Sequence, residues 1–208
     1  MSGPWEESRL RVAVSGRVAD DATGRPVAGA RVEAVEFPAA FRDLLAFRAR
    51  AHGAGWDALP ARPDRVRTAA DGTFSMTGLP DGRYVLRASV PAEGSRRGVA
   101  RATVRVTDGR AEGPATFALP RTTVQGRVTD AGGEPVAMAE VRLRGSGERA
   151  WTGADGRYVL AGVEAGERTV EVLAPGRAPL ARAASLPLAG WTATADVPLG
   201  GAQTAEVP

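Results

Sequence analysis

The sequence predicts an all-β chain of two tandem Greek-key β-sandwiches, the first interrupted by a short helical insertion. Three observations predict it: motifs that occur twice in the same order, Asp-Gly pairs that punctuate the chain, and alternation of apolar and polar residues between them. With 208 residues there is room for two small domains, each with its own core. The 26 Gly and 15 Pro against only 5% aromatic residues favour many tight turns over long helices.

The repeat carries the division. Val14-Ser15-Gly16-Arg17-Val18 followed by Asp20 returns as Val124-Gln125-Gly126-Arg127-Val128 followed by Asp130. Pro26-Val27-Ala28-Gly29-Ala30-Arg31-Val32 returns as Pro135-Val136-Ala137-Met138-Ala139-Glu140-Val141. Ala70-Asp71-Gly72-Thr73-Phe74, then Gly78-Leu79 and Gly82, returns as Ala154-Asp155-Gly156-Arg157-Tyr158, then Gly162-Val163 and Gly166. The expected order is an N-terminal tail over 1–9, a first sandwich over 10–120, a second over 121–200 and a C-terminal tail over 201–208. The connection around Pro120-Arg121 is too short for a free tether, which predicts a stiff two-domain rod.

Within each sandwich the strands are short. Asp71-Gly72, Asp81-Gly82, Asp108-Gly109 and Asp155-Gly156 read as turn tips, because Gly supplies positive φ and Asp bonds back to the backbone. In Ala100–Val106 the small and apolar residues face one way, with Arg101, Thr103 and Arg105 on the other; in Thr169–Val172 the valines face inward. About seven such strands fit in each module.

The first copy carries 25 extra residues, since Pro26 to Asp71 spans 45 positions and Pro135 to Asp155 only 20. The insertion, over about 37–64, reads as a helix: Pro38 at the first helical position, a stripe of Phe41, Leu44 and Leu45, and Gly53 as the stop. Trp56 and Leu59 follow, and Pro60 and Pro63 stiffen the return. Two roles are open to it. The stripe caps an open end of the sandwich, or Phe37, Phe41, Leu44, Leu45, Phe47 and Trp56 form a protein interface, because the second copy does without the insertion.

These motifs together resemble the carboxypeptidase regulatory-like domain, a transthyretin-like, immunoglobulin-like β-sandwich, in two copies covering nearly the whole chain. The resemblance implies the fold and little about activity, since peptidase activity in relatives belongs to a separate zinc domain. The insertion and the stretch Ala139–Ala150 are also similar to two-module regulatory-like proteins associated with bacterial contractile injection particles. That likeness implies a structural accessory subunit of a larger, phage tail-like assembly.

Composition excludes much chemistry. The chain has no Cys, Lys, Asn or Ile, so all 27 basic residues are Arg. Disulfides, thiolate metal sites, P-loops, Schiff bases and Lys–Asn isopeptide staples are therefore impossible. His52 is the only histidine, with Asp43 nine positions away and no serine in the insertion, so no catalytic triad is expected. Asp20, Asp21, Asp71, Asp130 and Asp155 read as turn formers, with no loop dense enough in oxygen ligands for calcium. No enzyme activity, cofactor or metal is expected.

The net charge of +3 divides as 18 Arg against 14 acids up to Pro120 and 9 against 10 beyond it. No basic block results, so outward-facing solvated arginines are expected and a nucleic-acid partner is not. Glycan binding would need an aromatic platform, for which Trp5, Trp56, Trp151 and Trp191 are the candidates. Trp151 and Trp191 read as core or interface. No stretch is long and apolar enough to insert in a membrane, and Met1–Glu7 lacks the features of a secretion signal, so a cytoplasmic protein with protein partners is expected.

Overall fold

The computed structural model describes residues 11–59 and 62–200 and divides into two compact units. One comprises the chain up to Pro91 with Val99–Leu119; the other comprises Ala92–Gly98 with the chain from Pro120 onward. The predicted tails at 1–9 and 201–208, Trp5 and Pro60 lie outside the described residues.

The first unit runs β1 (Val12–Asp20), β2 (Arg31–Glu36), α1 (Ala39–His52), β3 (Arg65–Arg67), β4 (Thr73–Thr77), β5 (Gly82–Ser89), β6 (Ala100–Thr107), β7 (Arg110–Ala111) and β8 (Ala115–Leu119). One sheet has the order β4-β1-β8, with β8 parallel to β1, and the other β3-β2-β5-β6-β7. Alternation along the strands sends Val14, Val18, Val32, Met76, Tyr84, Leu86 and Leu119 into one fully buried core. Each such side chain contributes roughly 1.5–3 kcal/mol on leaving water.

The second unit repeats the plan with β9 (Thr123–Thr129), β10 (Glu140–Leu143), β11 (Arg149–Trp151), β12 (Arg157–Ala161), β13 (Gly166–Leu173), β14 (Leu180–Leu186), β15 (Thr192–Thr194) and β16 (Val197–Pro198). Its sheets are β12-β9-β15, with β16 also on β9, and β11-β10-β13-β14. Val124, Val128, Val141, Val170, Val172, Leu186 and Val197 fill its core.

The three repeated motifs converge on one spot in each unit. The Val18 amide donates to the Gly72 carbonyl at 2.8 Å and the Val18 carbonyl accepts from the Val27 amide at 3.0 Å. Val128, Gly156 and Val136 reproduce both bonds at the same lengths. Gly72 and Gly156 have φ of 77° and 75°, and a Cβ on either would run into the carbonyl of Val18 or Val128. Gly16 pairs across the ladder with Phe74, and Gly126 with Tyr158. A Cβ on Gly16 or Gly126 would meet that aromatic ring and the carbonyl of Ala115 or Ala195, so Gly and aromatic are two halves of one packing unit.

The Asp-Gly pairs at 71–72, 108–109 and 155–156 are turns, whereas Asp81 is a bend and Gly82 already opens β5; only Asp108-Gly109 closes a hairpin, between β6 and β7. The pairs at 71–72, 81–82 and 155–156 lie where the chain crosses from one sheet to the other. The dipeptide specifies local dihedrals, and which strand comes next is decided by packing.

The fold also contains a repeat that the motifs did not reveal. Thr68 and Thr152 are both buried; each hydroxyl donates to a carbonyl, Val27 or Val136, at 2.6 Å and accepts the amide of Ala30 or Ala139 at 2.9 Å. Each therefore ties the segment before β2 or β10 to the end of β3 or β11.

Candidate protein interface

The insertion folds as predicted in outline. α1 starts one residue later than expected, with Pro38 as the cap rather than the first helical residue; its carbonyl accepts from the amides of Phe41 and Arg42. Gly53, at φ 56°, ends the helix and its amide donates to the Ala49 carbonyl.

The predicted interface residues do not share one surface. Phe41 is fully buried, edge-on to Phe37 at 5.4 Å and to Tyr84 at 5.6 Å between ring centroids. It is therefore a core residue and presents nothing to a partner. Phe37, Leu44 and Leu45 are half-buried against the same core. Burial pushes the Tyr84 hydroxyl up to about 12, with the Asp81 carboxylate adding to the shift, and the hydroxyl donates to the Pro80 carbonyl at 2.7 Å.

Trp56 is held down too. The Arg62 guanidinium lies 4.6 Å above its ring and is itself paired with Asp57 at 2.8 Å and Asp64 at 2.5 Å. The hydrogen bonds that Arg62 donates to the Asp64 carboxylate raise its pKa above the ordinary value. The His52 ring lies 5.8 Å from Trp56 at the helix end. Phe47 alone of the six points away, 69% exposed, because six residues after Phe41 the helix has turned it off the apolar stripe.

In the second unit Trp151 and Trp191 are 56% and 49% exposed, which corrects the core half of their sequence reading. Trp151 closes β11, a sheet-edge strand, opposite Glu140. Met138 is 65% exposed and adopts φ 56° where the first copy has Gly29 at 68°. A non-glycine side chain in that backbone region is strained.

The turn aspartates behave as turn formers. Asp20 Oδ1 accepts from the amide and hydroxyl of Thr23, and Asp130 Oδ1 from the amides of Gly132 and Glu134. The hydroxyl and amide of Thr73 hold the Asp71 carboxyl below its ordinary range. Among the described residues no group of three or more His, Asp or Glu is placed to hold a metal ion.

Residues 92–98 add an ionic cluster to the second unit. Arg96 pairs with Glu148 and lies 3.5 Å from Glu164, and its guanidinium donates to the Gly162 carbonyl at 3.0 Å. Burial acts to raise the Glu148 pKa, but the Arg96 hydrogen bond and charge outweigh it and leave the carboxyl below its ordinary range. Thr122 donates to the Ser95 carbonyl at 2.6 Å, and the Ser95 hydroxyl accepts the Ala165 amide at 3.1 Å.

Fold and surface together define the class: tandem β-sandwich modules with one interior plan and different exteriors. The chain belongs to the carboxypeptidase regulatory-like domain family, whose model matches residues 13–120 and 123–204. No curated protein matches it by sequence. Among solved structures it is similar to the shaft pilin spaA of Lactobacillus rhamnosus GG, with 12% identity, 94% of this chain and 98% of that one covered, and a TM-score of 0.40. A streptococcal ancillary pilin shows 15% identity over 95% of this chain and 64% of that one, TM-score 0.37. A type II cohesin–X-dockerin complex from Acetivibrio cellulolyticus shows 21% identity, TM-score 0.29; the match covers 37% of this chain and about half, 51%, of that one.

Proposed function

We propose that this chain is a non-catalytic protein-interaction subunit of a larger multiprotein assembly, put together in the cytoplasm in the manner of contractile injection and phage tail-like particles. The observation that carries the reading is the unequal elaboration of two copies of one fold. The second unit closes its core without an insertion; the first adds a helix that holds Phe47 in solvent. An added, exposed apolar residue outside what the fold requires is what a docking element presents. The test is to tag the protein in its native cell, purify it gently, and follow it by sedimentation and mass spectrometry. Co-sedimentation with sheath, tube or baseplate proteins is expected; recovery as a free monomer sinks the reading.

A second reading, a glycan-binding module, is favoured by one observation, the exposed Trp151 ring with the Glu140 carboxylate opposite it. Quenching of Trp fluorescence by oligosaccharides, lost in Trp151→Ala, would put it first.

A further inference from the structure

The outward face of the five-stranded sheet in the first unit carries an uncompensated positive charge. In a sheet, residues directly opposite on neighbouring strands share a face, and like charges there are destabilising. Yet Arg87 faces Arg101 and Arg83 faces Arg105 across β5 and β6, and Arg31 faces Arg67 across β2 and β3. With Arg65, the outward positions of β3, β2, β5 and β6 hold seven arginines against two glutamates, Glu33 and Glu36.

The two glutamates do not neutralise the face. Glu33 bonds Arg87, at 2.9 Å from Nε, and Glu36 is 3.9 Å from Arg83. Arg65 donates to the carbonyls of Asp57 and Leu59, and Arg67 to that of Gly29, contacts that orient the guanidinium without cancelling its charge. Among the described residues neither Arg101 nor Arg105 lies within 4 Å of a carboxylate, and both are exposed, as is the Arg83 side chain at 61%.

The fold does not demand this arrangement. On the corresponding face of the second unit Arg142 and Arg149 also meet, but Glu171 takes Arg142 at 3.0 Å and Arg144 at 2.5 Å. Hydrogen bonds from those arginines, Arg144 first, hold the Glu171 carboxyl below its ordinary range. Glu140 and Glu167 complete a face with as many acids as arginines.

We infer that the arginine face of the first unit docks an extended, carboxylate-bearing segment of a partner protein. This rests on the protein-interaction reading above and names the chemistry of the partner. The guanidinium pairs Arg83/Arg105 and Arg87/Arg101 stand four residues apart along the strands, roughly 13 Å, with only Val85 and Thr103 between them. Acids at positions i and i+4 of an extended peptide repeat at the same distance and match the planar fork of Arg.

The pattern fits discrete carboxylates better than a continuous polyanion. Glu33 and Glu36 bound the quartet on its β2 side, where a line of phosphates or sulfates would meet repulsion. No aromatic side chain stands on these outward positions to stack a base.

The full chain is titrated at low salt with a fluorescent peptide of alternating Glu and Thr, its Gln-for-Glu counterpart, oligothymidylate and heparin. The Glu peptide is expected to bind, the Gln peptide not, and affinity to fall with salt. Arg101→Glu with Arg105→Glu should weaken peptide binding at least about tenfold, as should the charge-neutral Arg101→Gln with Arg105→Gln. The Glu variant should melt no lower than the parent, because Arg87 and Arg83 then face acids. Peptide affinity unchanged in both variants, or binding of oligothymidylate or heparin alone, overturns the inference. Its failure is separable from that of the assembly reading: a chain that co-sediments but ignores the peptide docks by another surface, and one that binds the peptide but sediments alone keeps the face and loses the assembly.

Discussion

The first sandwich closes its smaller sheet with one continuous strand, the second with two pieces. β8 runs beside β1 from Ala115 to Leu119 without interruption, whereas β15 and β16 lie beside β9 on either side of Ala195 and Asp196. At the break the Ala195 amide still donates to the Gln125 carbonyl at 2.8 Å, and side chains supply the other bonds. The Tyr158 hydroxyl donates to the Ala195 carbonyl at 2.6 Å, and the Arg127 amide bonds Asp196 Oδ1 at 2.8 Å. The first unit uses Phe74 at the position of Tyr158 and needs no hydroxyl there. Burial raises the Tyr158 pKa, the more so beside Asp196, so the hydroxyl stays a donor. One core plan thus tolerates different closures, provided each buried polar group is satisfied.

The difference is broken most severely at the insertion. Phe41→Ala should cost the first unit about 3–5 kcal/mol and leave the second unchanged, because the ring is fully buried in the first core alone. Two-probe denaturation resolves the units. Phe47→Ser should leave stability within about 0.5 kcal/mol and remove partner co-sedimentation. A large stability loss from Phe47→Ser would show that the helix is only a cap.

Gly16→Ala and Gly126→Ala should each cost about 3 kcal/mol, each in its own unit, since the new methyl meets a carbonyl and an aromatic ring. Equal cost in both would confirm that the Gly–aromatic pair is the shared element of the two closures. Next come Thr68→Val and Thr152→Val, about 1–3 kcal/mol apiece, because the buried Ala30 or Ala139 amide loses its acceptor. Tyr158→Phe should cost about 1 kcal/mol in the second unit by stranding the Ala195 carbonyl. A neutral result would mean that the broken strand satisfies that carbonyl in another way.

The smallest effect is on acidification. Glu148 and Glu171 have folded pKa values below their ordinary 4.5, so their contribution is present above pH 4.5 and lost as pH falls through the folded values. In the first unit the Asp71 carboxyl is also lowered, from an ordinary 3.8, so its contribution is complete down to that lower pH before it begins to fall. Melting curves taken from pH 6 downward should therefore show the second unit weakening first. Arg96→Ala should shrink that step.

The fold was legible because its decisive residues are local or repeated. Gly72 and Gly156 announce turns through the dihedrals they alone adopt readily, and the alternation in Ala100–Val106 assigns each side chain a face. Doubling the motifs divided the chain in two. The Thr68 and Thr152 ties were missed because one hydroxyl bonding two backbone groups leaves no pattern in composition or period.

The candidate surfaces were less legible for a related reason. Helical spacing places Phe41, Leu44 and Leu45 on one stripe but does not say what the stripe meets. Contact with Tyr84, from a strand some forty residues on, made Phe41 core and left Phe47 outside. Likewise the alternation in β6 turned Arg101 and Arg105 outward but did not say what they face. Only cross-strand register brings Arg87 against Arg101 and Arg83 against Arg105. The sequence by itself determined the strands, the turns and the two-copy plan, since these depend on interactions within a few residues. The tertiary structure decided which charges and rings share a surface, because that depends on pairing between segments distant in the chain.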